Sequence, residues 1–311
     1  LFNNKKSYFY STEKEGVYPL TPGMEKVIPV DLDGDGDKDL FYFGSSIKTS
    51  ARKPYQTMIL INKGDVQFED LTSLLMPSLP SGIRDASFAD YDGDGVVDIF
   101  LVYSKGQNRL LLNNGVGKFS DRTSSRMPHI LDDSMHADWA DFDQDGDNDL
   151  LITGNGPTTG VTSTLYENDG SGNFTAVSQP AIVNVYIGAA EFADVDSDGD
   201  MDLMMTGNTS SPSATANLYI NDGTGNFTIS AGTPFEASNS GDIDFGDIDG
   251  DSDLDLIMTG LDASGNTFSK LYLNDGMGIF TLVSGTSFTP VWSSSTEFID
   301  VDNDGDLDLL I

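Results

Sequence analysis

Residues 194–202 read Asp194-Val195-Asp196-Ser197-Asp198-Gly199-Asp200-Met201-Asp202, a nonapeptide with aspartate at every odd position. The pattern D-x-D-x-D-[G/S]-x-x-D also starts at Asp31, Asp90, Asp141, Asp247 and Asp300, and successive starts lie 59, 51, 53, 53 and 53 residues apart. Six copies at a near-constant period define an internal repeat, and a repeat of this length fixes the architecture before any single element is assigned.

The surroundings of the nonapeptide recur with it. A short segment such as Glu191-Phe192-Ala193 precedes it, and an apolar run such as Leu203-Met204-Met205-Thr206 follows. A Gly-, Ser- and Thr-rich loop comes next, then Leu218-Tyr219-Ile220-Asn221, then Asp222-Gly223-Thr224-Gly225 and an aromatic. That aromatic is Phe68, Phe119, Phe174, Phe227 or Phe280, six residues past the Asn each time. Asp-Gly between apolar runs is a strong hairpin signal. Runs of four or five residues rich in β-branched and aromatic side chains are of strand length, and helical periodicity is absent. Each period therefore reads as four short strands, the signature of a β-propeller blade. Leu1-Phe2-Asn3-Asn4, with Tyr10 at the aromatic position, matches the second half of a period, and the chain stops at Ile311 within the first half of one. The expectation is an all-β, single-domain β-propeller over residues 1–311. It has six four-stranded blades, one of them closed by strands from both ends, and seven blades are the alternative. A chain starting at Leu1 with no signal-like segment reads as part of a larger secreted protein with flanking domains.

So many carboxylates in nine residues repel one another unless a cation sits among them. Ca²⁺ takes six to eight oxygen ligands, and aspartates at loop positions 1, 3 and 5 with a carbonyl at position 7 can wrap it, while Gly at position 6 allows the turn. Position 9 supplies a further Asp, and a strand rather than a helix follows, which excludes an EF-hand. The expected ligand sets, one Ca²⁺ per repeat, are Asp31, Asp33, Asp35, Asp37 and Asp39; Asp90, Asp92, Asp94, Val96 and Asp98; Asp141, Asp143, Asp145, Asp147 and Asp149; Asp194, Asp196, Asp198, Asp200 and Asp202; Asp247, Asp249, Asp251, Asp253 and Asp255; and Asp300, Asp302, Asp304, Asp306 and Asp308. Val96 contributes only its carbonyl. Ser252 replaces the position-6 Gly in the fifth copy and is expected to be strained or to weaken its site.

Composition limits the partners. The 311 residues carry 16 Lys+Arg against 50 Asp+Glu, a formal charge of −34, which repels nucleic acid. No apolar stretch is long enough for a membrane-spanning helix. There is no cysteine, hence no disulfide and no thiolate chemistry. Fifteen of the 16 bases fall in residues 1–126, and Lys270 alone in the remainder.

The nonapeptide with its flanks, Phe192 to Leu203, resembles the FG-GAP or VCBS-type repeat of integrin α-subunit propeller heads and of many secreted bacterial proteins. The resemblance implies a calcium-stabilised propeller, an extracellular location, and adhesion or ligand binding; some relatives are polysaccharide lyases.

Candidate contacts outside the Asp loops are few. Residues 45–56 form the longest and most basic inter-strand loop, with Lys48, Arg52, Lys53 and Tyr55 as an expected contact for an acidic glycan or a protein. Three residues before the loops stand Asp138, Glu191, Asp244 and Glu297, with Ser87 and Ile28 in the first two copies. These are expected to line the strand nearest the propeller axis as solvated polar groups. Phe88, Trp139, Phe192, Phe245 and Phe298 follow them and are expected to pack between blades. His129 and His136 have no recognisable catalytic partner in sequence. The expected function is a non-catalytic binding or adhesion module for a glycan or protein; the alternative is a carbohydrate-active lyase or hydrolase on the same scaffold.

Overall fold

The strand after each of the first five Asp loops carries the apolar content of the repeat, and it is covered on both faces. All six residues of Asp98–Tyr103 are buried, as are the first six of Asp202–Asn208 and of Asp255–Leu261. Such a strand is central in its sheet. The computed structural model describes residues 24–44, 57–64, 67–128, 133–156, 160–210, 213–300 and 304–311.

Among the described residues there are five four-stranded antiparallel sheets, each a meander in sequence order. The first comprises β1 (Met24–Val30), β2 (Asp39–Gly44), β3 (Thr57–Asn62) and β4 (Phe68–Asp70), and a single helical turn, α1 (Thr72–Leu75), follows. The second comprises β5 (Ile83–Ala89), β6 (Asp98–Tyr103), β7 (Arg109–Asn113) and β8 (Phe119–Asp121), followed by α2 (Thr123–Arg126). The third holds β9 (Asp133–Ala140), β10 (Asp149–Gly156), β11 (Gly160–Asn168) and β12 (Phe174–Val177); the fourth β13 (Ala190–Ala193), β14 (Asp202–Asn208), β15 (Ala214–Asn221) and β16 (Phe227–Ile229). The fifth holds β17 (Ile243–Gly246), β18 (Asp255–Leu261), β19 (Thr267–Leu273) and β20 (Thr281–Leu282), and β21 (Glu297–Ile299) with β22 (Asp308–Leu310) forms a two-stranded sheet. The register places Ala193 opposite Asp202 and Gly246 opposite Asp255, so each Asp loop is the turn between the first and second strands of its blade.

These are the blades of a β-propeller. Five are complete where six were expected. The sixth is represented by β21 and β22, and the segment expected to complete it, residues 1–10, lies outside the described residues. The two helical turns were not foreseen. Both follow an Asp-x-Thr at the end of a fourth strand, where the carboxylates of Asp70 and Asp121 accept the N–H and hydroxyl of Thr72 and Thr123. The same hydroxyls accept the N–H of Ile59 and Leu110 and turn the chain back on its own blade.

The chain divides into two compact units, Leu1–Ser134 with Asp169–Phe174, and Met135–Asn168 with Thr175–Ile311. The core of the first is built on Phe41, Phe43, Ile59, Ile61, Ile99, Leu101 and Leu111. In the second, Leu203, Met205 and Tyr219 pack in one cluster and Met204, Leu218, Leu256, Met258 and Tyr272 in another, on opposite faces of the alternating strands. Of the aromatics expected to pack between blades, Phe88 meets Phe41 of the preceding blade edge-on at 5.3 Å, while Phe192 and Phe245 meet Phe227 and Phe280 of their own repeats at 6.3 and 6.4 Å.

Candidate metal centres

Each Asp loop is folded by its own carboxylates. The first aspartate spans the loop: Asp31 accepts the N–H of Gly34 at 2.8 Å through one oxygen and that of Gly36 at 2.9 Å through the other. Asp90, Asp194, Asp247 and Asp300 likewise use both oxygens, and Asp141 accepts from Gly146. The fifth-position aspartates, Asp35, Asp94, Asp145, Asp198, Asp251 and Asp304, accept the N–H of position 7, which in the second loop is Val96. Position 6 lies at positive φ in each described case: Gly36, Gly95, Gly146, Gly199, Gly305 and, at φ 78°, Ser252. The strain expected at Ser252 is therefore present.

Position 9 is the buried strut of the loop. Asp39, Asp98, Asp149, Asp202 and Asp255 are at most 1% exposed. One carboxylate oxygen of each accepts the N–H at position 2, from Leu32, Tyr91, Phe142, Val195 or Ile248. The other accepts the N–H of the hairpin Asn, from Asn62, Asn113, Asn168, Asn221 or Asn274.

The loops bring together Asp31, Asp33 and Asp39; Asp90, Asp92 and Asp94; Asp141, Asp143 and Asp149; Asp194, Asp196 and Asp202; and Asp247, Asp249 and Asp251, with one oxygen from each residue within 4.8 Å of the others in its set. Asp302 lies outside the described residues. Oxygens Oδ1 of Asp33, Asp92, Asp141 and Asp196 are buried without a hydrogen-bond partner. Burial, then the neighbouring aspartates, pushes Asp92, Asp143 and Asp196 above the usual carboxylate range. Burial pushes Asp98, Asp149 and Asp202 up to about 7, although each accepts two backbone N–H bonds. Orphaned, mutually repelling, oxygen-only donors fit a hard divalent cation and give soft metals nothing to bind. The Asp-rich groups are thus able to hold metal ions. Position 7 is not among the convergent sets, and the carboxylates of Asp200 and Asp253 lie against Gly223 and Gly276 of the hairpin turn.

Sequence reading saw the hairpin Asn recur and missed its task. Besides bonding the strut through its N–H, it donates with its side-chain amide to two carbonyls. Asn221 Nδ2 reaches Met201 O at 3.1 Å in its own loop and Phe142 O at 2.7 Å in the loop one blade back. Asn274 reaches Leu254 O and Val195 O, and Asn113 reaches Val97 O and Leu32 O, in the same way. The Asn therefore clasps successive loops together. Asn221→Ala is expected to leave the buried Phe142 carbonyl and the part-buried Met201 carbonyl without this donor and to cost about 2 kcal/mol, read as a lowered denaturation midpoint in urea.

Of the acids before the loops, Asp138, Glu191 and Asp244 are part-buried and not a solvated lining, whereas Glu297 is exposed. In the second unit Asp138 accepts the N–H of Phe192 at 3.0 Å, Glu191 that of Phe245, and Asp244 that of Phe298, so each ties its strand to the first strand of the next blade. In the first unit opposite charges make such ties: Lys26 Nζ lies 3.1 Å from Asp85 and Arg84 2.7 Å from Asp133. Glu191 is part-buried, and burial together with Asp244, Asp138 and Asp242 pushes it up to about 9. The folded chain then holds a proton there that the unfolded chain, near 4.5, releases. Stability should fall as pH rises through this window, by at most about 1.4 kcal/mol per unit before solvent screening. Glu191→Gln should flatten that slope, so calcium-loaded melting curves of mutant and wild type should diverge increasingly from pH 5 to pH 8.5, the mutant being the more stable. A constant difference across the range would refute the assignment.

His136 donates from Nε2 to Ala190 O at 2.8 Å in another interblade tie. His129, and the loop bearing Lys48, Arg52, Lys53 and Tyr55, lie outside the described residues. Among the described residues no helix is long and apolar enough to cross a membrane.

Four-stranded blades with an acidic turn between the first two strands define a repeat protein of the β-propeller class. The chain belongs to the FG-GAP-like repeat family, whose repeat matches residues 31–101, 90–152, 141–205, 206–258 and 259–311. T-cell immunomodulatory protein of Mus musculus is similar to it at 27% identity over 216 residues, which is 67% of this chain and 33% of that protein. The chain thus spans about a third of that relative's length. Among solved structures, Bacillus licheniformis rhamnogalacturonan lyase PL11 is similar over 89% of this chain and 52% of its own, at 16% identity and a TM-score of 0.46.

Proposed function

We propose that this chain is a calcium-stabilised extracellular propeller that acts as a non-catalytic binding or adhesion module for a glycan or protein. The observation that carries the calcium assignment is the set of buried, partnerless carboxylate oxygens on Asp33, Asp92, Asp141 and Asp196, each in a convergent group of three acids. Calcium suits such groups better than magnesium, which keeps its waters and accepts fewer protein ligands. Aspartates at positions 1, 3 and 5, the carbonyl at position 7, and position 9 would surround it. An extracellular setting, where calcium is abundant, agrees with a chain of charge −34 that lacks cysteine.

A binding role rests on family membership and on the basic, aromatic loop of residues 45–56 in an otherwise acidic chain. Lys48, Arg52, Lys53 and Tyr55 are its proposed contacts. Screening the calcium-loaded chain on a glycan array, followed by product analysis of every bound glycan, tests the reading. Binding without chain cleavage, weakened at least tenfold by replacing Arg52 and Lys53 with Ala, supports it. Cleavage of a bound glycan would establish an enzyme instead.

A further inference from the structure

The Asp loops do not stand alone, because in the second, fourth and fifth blades the hairpin turn between the third and fourth strands abuts the loop. A Cβ at Gly223 would lie 2.6 Å from Asp200 Oδ2, one at Gly276 2.5 Å from Asp253 Oδ1, and one at Gly115 3.6 Å from the Val96 side chain. The residue just before each of these three glycines therefore borders a loop, and the charge at this place changes along the chain: Lys63 in the first blade, Asn114 in the second, and Asp169, Asp222 and Asp275 in the third, fourth and fifth. Lys63 reaches into its loop, with Nζ 3.7 Å from Asp33 Oδ2. Asp33 is one of three acids converging in that loop, and its other oxygen is the buried one without a partner. The first loop also carries a second base, Lys38 at position 8, where the other copies have Val97, Asn148, Met201, Leu254 and Leu307. In the fourth blade the sign is opposite: Asp222 accepts the N–H and hydroxyl of Thr224 at 3.0 and 2.7 Å, and the neighbouring Gly223 lies against the Asp200 carboxylate.

We propose that the residue following the hairpin Asn grades the calcium sites, so that Lys63 makes the first loop a low-affinity site and Asp222 and Asp275 make the fourth and fifth loops high-affinity ones. The inference rests on the calcium reading above. An ammonium beside a ligand carboxylate lowers the charge offered to the ion and repels the ion itself, and oxygen cages are tuned by the charge they present. At a partly exposed site a full unit of charge corresponds to about a tenfold change in dissociation constant. The first site should therefore empty first as free calcium falls.

Equilibrium ion counting across a series of calcium buffers tests the grading, with wild type, Lys63→Asn, Lys63→Met and Asp222→Asn compared. Lys63 is half-exposed, and the Asn in Asp222→Asn keeps an acceptor oxygen for Thr224. Both Lys63 variants are expected to move one ion per chain to roughly tenfold tighter binding, Met included because it keeps the stem and loses only the charge. Asp222→Asn should move one ion the other way. Total ions at saturation should not change. Lys63 variants whose binding curves superimpose on wild type, or shift to weaker binding, overturn the grading while leaving calcium binding intact. A chain that binds no calcium in any variant overturns the calcium reading and the grading with it.

Discussion

Exhaustive dialysis against a calcium chelator is expected to lower the melting temperature by tens of degrees or to abolish the cooperative transition. The size follows from linkage. An ion that binds only the folded chain contributes about 4 kcal/mol when its free concentration is 1,000 times its dissociation constant. Five convergent acid groups are present among the described residues, and the total stability of a folded domain is typically only ~5–15 kcal/mol. Five filled cages would together exceed that range. Without the ions, the folded chain must bring together carboxylates whose protonation is already favoured by burial and by one another at Asp92, Asp143 and Asp196. Calcium should restore the transition on readdition, and magnesium at the same concentration only in part. Identical melting curves before and after chelation, monitored by circular dichroism, would show that hydrogen bonding within the loops is sufficient to hold them.

The second large effect separates the ligand from the strut within one loop. Asp202→Ala is expected to cost roughly 3–5 kcal/mol even in chelator, and more in calcium because it also removes a ligand, since it strips the acceptor from two buried N–H groups, those of Val195 and Asn221, and opens a void beneath the loop. Asp196→Asn should behave differently. Its Oδ1 has no partner, and burial and Asp198 already push the carboxyl upward, so neutralising it removes repulsion in the metal-free chain. It should lower the calcium count by one ion per chain and reduce the stabilisation that calcium gives, while leaving the chelated protein as stable as wild type or more so. Chemical denaturation of both mutants in calcium and in chelator forms the test. Equal destabilisation in chelator would mean that Asp196 and Asp202 do the same job.

The period, the meander and the loop of each blade were legible from the Asp nonapeptide and the Asp-Gly hairpin because all are local. Strand order follows from short connections, and the positive φ at position 6 follows from its glycines, Ser252 being the one departure. What the chain concealed depends on partners a full period away. Asn221 looks like any turn residue until Phe142 O, 79 residues back, is found on its amide. Glu191 looks like a solvated channel acid until the N–H of Phe245 in the next blade is seen to bond it. Position 9 was read only as a metal ligand, because nothing local shows that Asp202 also receives two backbone N–H groups. Ile187 is another concealed feature, a β-branched residue at φ 53° just ahead of Gly188, where a Cβ would lie 2.1 Å from Thr206 O. Its carbonyl accepts the N–H of Ser240, also in the left-handed region, one blade on.

The recurrent acids of these blades converge between the first and second strands, where a divalent ion is proposed to sit. Direct counting of bound calcium after equilibrium dialysis, in a buffer of millimolar calcium with wild-type chain at known concentration, addresses this most simply. At least five ions per chain are expected, one for each convergent acid group. A fully folded chain that retains one ion or none would contradict it.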